Sequence, residues 1–165
     1  MWFQLRPIDL GFLAQAEKVY VAHATVHAKR ADVFRAFADA STWSAWWPGV
    51  SHASYGASAP PFGVGTFRES RVDGQRYEET MLAWDHDVRW AYRIDRATLP
   101  IANAQLEITE FADDGGGTRI TWTIAHDPRF AMRLAAPLMP AIMRRMLARA
   151  ARGLDAYLAN DARRR

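Results

Sequence analysis

Between Pro60 and Gly117 the chain is broken by turn signals at intervals of roughly ten residues, the spacing of an antiparallel meander. The signals are Pro60-Pro61-Phe62-Gly63, Asp73-Gly74, Asp85-His86-Asp87, Pro100 and Asp113-Asp114-Gly115-Gly116-Gly117. They set off Val64–Val72, Gln75–Trp84, Val88–Ile94, Ile101–Phe111 and Thr118–Ala125 as strands. In the last of these, Ile120, Trp122 and Ile124 alternate with Arg119, Thr121 and Thr123, the period of a half-buried strand. Asp73-Gly74 is the strongest hairpin dipeptide in the chain, because both positions of a tight hairpin turn need positive φ. Asp127-Pro128 ends the strands.

Such a meander needs a cover for its apolar face. Upstream, Glu17–Ala28 alternates with Tyr20, Ala22, Ala24 and Val26 on one face, and reads as a further strand. Asp32–Ala38 has helical spacing. A second short helix, capped by Asp39 or Ser41, ends at Pro48-Gly49 and carries Trp43, Trp46 and Trp47 on one side. Downstream, Pro137 and Pro140 argue against one continuous helix, so the long helix is placed from near Pro140. Its stripe is Met143, Met146, Leu147, Ala150, Leu154 and Leu158, with Arg145, Arg149 and Arg152 opposite. The expected fold is α+β: a curved antiparallel sheet of about seven strands around a long C-terminal helix, with two short helices after the first strand. One domain over 17–160 follows, with an N-terminal extension over 1–16 and a basic tail over 161–165. In the extension, Pro7 is expected to open a helical turn and Phe12 and Leu13 to pack on the domain, burial on a second subunit being the alternative.

With these residues in this order, the chain resembles the START-like superfamily, the polyketide cyclase/dehydrase-like group with a helix-grip fold. The resemblance rests on Ala28-Lys29-Arg30-Ala31-Asp32-Val33-Phe34, Trp43-Ser44-Ala45-Trp46-Trp47-Pro48, Gly63-Val64-Gly65-Thr66, Tyr77-Glu78-Glu79-Thr80-Met81 and Gly117-Thr118-Arg119-Ile120-Thr121-Trp122, and spans Glu17 to Leu158. It implies a cavity between sheet and helix. Members include lipid carriers, cyclases and hormone receptors, and no catalytic motif is common to them. The function it implies is binding or transport of a hydrophobic small molecule (a lipid, polyketide or isoprenoid). The alternative is a cyclase/dehydrase-type enzyme using acid–base residues in that cavity. On this reading, the three tryptophans close one end of the cavity.

Other chemistries find little support. There is no cysteine, which excludes thiolate chemistry and suits a cytoplasmic location. Arginine supplies 19 of the 21 basic residues, a composition bias rather than a nucleic-acid footprint, and no basic stripe alternates with aromatics. No apolar run is long enough to span a membrane, and the start lacks the pattern of a signal peptide. His23 and His27 share a strand face but stand roughly 13 Å apart, too far to chelate one metal. Asp85-His86-Asp87 reads as a solvated turn, and His126 as a packed or mouth-lining residue. Gly63-Val64-Gly65 precedes a strand rather than the helix a dinucleotide loop requires. Neither metal nor cofactor is expected, and the oligomeric state is left open.

The expected ligand-binding residues are Trp46, Trp47, Arg68, Tyr77, Glu79, Met81, Trp90, Tyr92, Trp122, Met139 and Met143. Two of them follow from register. If His86-Asp87 is a two-residue turn, Ala83 faces Trp90, Met81 faces Tyr92 and Glu79 faces Ile94, so Glu79 joins the interior. If Asp73-Gly74 is another, Tyr77 faces Ser70 and Glu79 faces Arg68. Arg68 and Glu79 are then an ion pair inside an apolar pocket and the catalytic candidates. The pair can be structural, can orient a polar ligand head, or can supply a base. A three-residue loop at Asp73-Gly74 would instead send Arg68 to solvent.

Overall fold

The computed structural model describes residues 1–56 and 58–164. Its strands are β1 (Phe3–Gln4), β2 (Lys18–Val26), β3 (Val50–Ser54), β4 (Phe67–Val72), β5 (Gln75–Asp85), β6 (Arg89–Ala97), β7 (Ala102–Asp114) and β8 (Gly117–Pro128). The helices are α1 (Arg30–Ala38), α2 (Trp43–Trp46), α3 (Phe130–Ala135) and α4 (Met139–Arg164). All strand pairs are antiparallel, in the order β2-β8-β7-β6-β5-β4-β3, and β1 pairs with β6. The α+β architecture expected from the turn spacing is the one observed.

Glycine and aspartate chemistry sets the tight hairpins. Asp73 and Gly74 both have positive φ, 48° and 79°, so Val72 pairs directly with Gln75. Gly115 and Gly116 do the same between Asp114 and Gly117. The strand expected from Val64 begins only at Phe67, because Gly63–Thr66 closes into a turn in which Gly63 N–H donates to Thr66 Oγ1 at 2.9 Å. β3, directly after Pro48-Gly49, was not anticipated; it is short, its ladder is bulged near Ser51, and only Val50 and Ala53 are buried.

The inner face carries the main core. Met143, Leu147, Ala150, Ala151 and Leu154 of α4 pack there with Phe34 and Phe37 of α1, the three tryptophans, and Trp90, Phe111 and Ile120 of the sheet. The stripe read along the last helix is the buried side of α4, and Arg145, Arg149 and Arg152 are exposed. α4 continues to Arg164, so residues 161–164 are helix rather than a separate tail, and Arg165 lies outside the described residues.

The outer face has a second core. Ile8 and Phe12 from the N-terminal segment cover Ala83, Ala91, Ala104, Leu106, Ile108 and Ala125. The segment is anchored where β6 and β7 part beyond Arg93: Leu5 N–H donates to Asp95 O and Arg6 N–H to Asn103 O. Its helical turn is Leu10–Ala14, started by the Asp9 carboxylate accepting from Gly11 N–H and not by Pro7. Leu13 points outward, contrary to expectation, because the turn has one side on the sheet and Phe12 occupies it.

α4 crosses α2 at a glycine. A Cβ on Gly153 would stand 2.3 Å from the backbone oxygen of Trp46. Gly153→Ala should therefore destabilise the protein, although alanine in a helix is intrinsically favoured over glycine by about 1 kcal/mol. Denaturant midpoints of the two proteins check this; a more stable variant would show that the helices can separate freely.

Candidate functional site

A cavity of about 340 Å³ lies between the inner face of the sheet and α3–α4. On the helix side its wall is Met132, Met139, Ile142, Met143 and Met146. The sheet side presents Arg68, Ser70, Glu79, Gln105, Glu107 and His126 among aromatic and aliphatic rings and chains. Leu99 and Ile142 line the cavity and are also exposed, so they mark its mouth.

The two-residue turn at Asp73-Gly74 places Ser70 opposite Tyr77 and Arg68 opposite Glu79. Arg68 is 1% exposed and Glu79 3%. Arg68 Nε donates to Glu79 Oε2 at 2.5 Å, and Ser70 Oγ donates to Glu79 Oε1 at 3.1 Å. The guanidinium carbon stands 4.4 Å from the ring centre of Trp43, 4.5 Å from that of Tyr92 and 4.7 Å from that of Trp90. Those π faces surround a cation whose Nη1 has no hydrogen-bond partner. Burial pulls the basicity of Arg68 down, but Glu79 beside it more than offsets this, and the guanidinium is held firmly charged.

The other turn is not as expected. Asp85 pairs with Arg89, so the loop is His86-Asp87-Val88, with Asp87 at φ 61°. Trp84 consequently faces Trp90 and Ala83 faces Ala91, on the outer face. Val88 is solvent-exposed instead of sharing the face of Trp90. A bulge at Leu82 then restores the pairing of Met81 with Tyr92, and Glu79 still meets Ile94. The inward position of Glu79 thus results from a loop one residue longer than expected and a bulge that compensates for it.

Glu107 is the site residue that the sequence reading missed. It pairs with Tyr92 on one side and Ile124 on the other, and is buried. Tyr92 Oη donates to its Oε2 at 2.6 Å, Trp122 Nε1 donates to the same oxygen at 3.1 Å, and Gln105 Nε2 donates to Oε1 at 2.8 Å. Its pKa is raised by burial, which outweighs these three donors; Glu79 adds to the rise. The signal was present in register: with Trp122 facing inward, the glycine turn sets Thr109 opposite it and Glu107 two residues on. It was masked because the apolar residues of β7, Ala104, Leu106 and Ile108, face the outer core, so the polar parity of this strand is the inner one.

A carboxyl with a raised native pKa binds protons more readily folded than unfolded. Its contribution to stability should therefore decline as pH rises from the ordinary carboxylate range through the native pKa. Denaturation of the protein and of Glu107→Gln across pH should show this decline in their difference. A difference that grows with pH would mean that the anion is favoured by the fold.

Of the expected residues, Trp47, Arg68, Tyr77, Glu79, Tyr92, Trp122, Met139 and Met143 line the cavity. Trp46, Met81 and Trp90 do not; they are buried behind the wall in the main core. Trp46 packs on Phe37 at 5.0 Å and donates to Thr42 Oγ1, which turns its ring away. Trp43, whose Nε1 donates to Phe37 O, lines the cavity in its place. Burial and neighbouring carboxylates push Tyr77 up to about 12 and Tyr92 well above its ordinary value, so both phenols are neutral. His126 is buried in the wall, its ring edge-on to Tyr20 at 5.5 Å and its Nε2 without a partner. Burial lowers its pKa, with Asp127 and Glu17 opposing. Among the described residues no cluster of His, Asp or Glu could hold a metal ion, and no helix is long and apolar enough to cross a membrane.

Residues 18–159 match the profile of the family described as polyketide cyclase / dehydrase and lipid transport. An uncharacterised protein of Mycobacterium tuberculosis is 29% identical over 132 residues, covering 77% of this chain and 78% of that protein. Among solved structures, TTHA0849 from Thermus thermophilus superposes with a TM-score of 0.67 at 17% identity, covering 87% of this chain and 99% of that one. Ara h 8.0201 superposes with a TM-score of 0.63 at 13% identity, covering 87% and 98%. At these identities the structural likeness establishes the fold.

Proposed function

Because the chain belongs to the polyketide cyclase/dehydrase and lipid transport family of the START-like superfamily, a hydrophobic-ligand-binding fold, we propose that it carries a hydrophobic small molecule, a lipid, polyketide or isoprenoid, in its cavity without transforming it. The observation that carries this reading is the wall: methionine and isoleucine side chains from α3 and α4 face tryptophan and tyrosine rings across about 340 Å³. Methionine adapts to irregular apolar shapes, as a carrier of flexible molecules requires. Native mass spectrometry after gentle purification should find the protein with such a molecule bound. A lipid and polyketide panel should raise its melting temperature. A cavity that stays empty, with no stabilisation by any panel member, would overturn the reading.

The second reading, a cyclase/dehydrase-type enzyme, is favoured by one observation, the buried Glu107 carboxyl held by Tyr92, Gln105 and Trp122. A carboxyl with raised pKa in an apolar site suits proton transfer. Glu79, with both oxygens engaged by Arg68 and Ser70, suits a structural or head-orienting role instead. Turnover of a polyketide substrate that is abolished in Glu107→Gln would establish the enzyme reading over the carrier.

A further inference from the structure

Among the described residues, the cavity holds one acidic group with no basic partner. Its ionisable lining is Arg68, Tyr77, Glu79, Tyr92, Glu107 and His126. Arg68 and Glu79 neutralise one another. The two phenols are neutral, and burial favours the neutral form of His126. Glu107 remains. Trp122 Nε1 and Gln105 Nε2 donate to its two oxygens, one to each, and the Tyr92 hydroxyl, which can donate or accept, completes the shell, so the surroundings accommodate a carboxylate once a cation is supplied. Among the described residues no arginine, lysine or histidine pairs with it. A buried anion without a cation is costly, which agrees with the upward shift of its pKa. The wall opposite, Met132, Met139, Met143 and Met146, offers only apolar surface.

Building on the carrier reading, we propose that the occupant is an amphiphile with a single protonated amine at its polar end, held against Glu107, and an apolar body along the methionines of α3 and α4. The ligand brings the cation that the cavity lacks, and its ammonium completes a charge-assisted hydrogen bond to a carboxylate already held in place by Tyr92, Gln105 and Trp122.

The test compares decylamine, decanol and decanoate, each below its micelle concentration, by calorimetry and thermal shift on the full chain. The protein has a net charge of +3, so non-specific attraction favours decanoate, and a preference for the amine has to come from the cavity. Decylamine should bind about tenfold or more tighter than decanol, the effect of one charge-assisted hydrogen bond. Glu107→Gln should erase that difference while decanol binding persists. If the variant does not fold, the ranking of the three ligands on the unaltered protein decides. Decanol or decanoate binding as tightly as the amine overturns the head-group assignment and leaves the carrier reading standing. Binding of none of the three overturns both.

Discussion

Replacing Arg68 with methionine is expected to destabilise the protein by about 3–5 kcal/mol, the usual cost of removing one partner of a buried ion pair. Glu79, 3% exposed, would keep only the Ser70 hydroxyl as a donor. Methionine is close to the arginine stem in shape and can still fill the space among Trp43, Trp90 and Tyr92, so the loss reports the stranded charge more than a void. Adding Glu79→Gln to Arg68→Met should recover much of the stability, since the double variant removes both charges of the pair and strands neither. Chemical denaturation of the two single variants and the double closes the cycle. A cost below about 1 kcal/mol for Arg68→Met, the range of exposed pairs, would show that water reaches Glu79 and that the pair is not a buried one.

An equal loss, about 3–5 kcal/mol, is expected for Phe37→Ala. Phe37 is 1% exposed, and five rings gather around it: Trp46 at 5.0 Å, Phe111 at 5.1 Å, Trp43 at 5.7 Å, Trp47 at 5.9 Å and Trp90 at 6.2 Å. Those rings are held by one another and by α4, so they cannot collapse fully into the space left behind. Its main-chain oxygen also accepts from Trp43 Nε1, which couples the loss to the position of α2. The measurement is denaturant unfolding followed by tryptophan fluorescence, with native emission shifted to the red in the variant. A loss under about 2 kcal/mol would mean that the cluster repacks around alanine.

The three tryptophans of Ser41–Val50 have different roles. Trp43 and Trp47 are stacked at 5.1 Å and both border the cavity, while Trp46 fills the core behind them. Trp43 and Trp46 are buried on one side of α2, as the i, i+3 spacing requires, and Trp47, the extended residue that ends the helix rather than part of it, is buried beside them. Which two of the three face empty space depends on where α4 lies, and α4 is far away in sequence. The same holds for Trp90, which lies on the inner parity of its strand but is covered by Trp43, Phe37 and the Arg68 guanidinium.

Local chemistry was sufficient for much of the molecule. Positive-φ residues at Asp73-Gly74 and Gly115-Gly116 define hairpins within a few residues, and the register of β4 against β5 follows, with Arg68 opposite Glu79. Alternation in β2 and β8 and the stripe of α4 mark their buried faces for the same reason, because period and burial are written in consecutive residues. Tertiary structure alone decided the rest. The loop after Asp85 and the bulge at Leu82 are two irregularities that cancel, and neither leaves a turn signal that distinguishes it. The inner face of β7 is the polar one only because the N-terminal segment, some ninety residues earlier in the chain, covers Leu106 and Ile108 on the outside. Register from the glycine turn puts Glu107 on the inner parity, but whether a carboxylate there is buried and without a cation depends on every element that packs around it, and desolvation, unlike a turn, has no local sequence code.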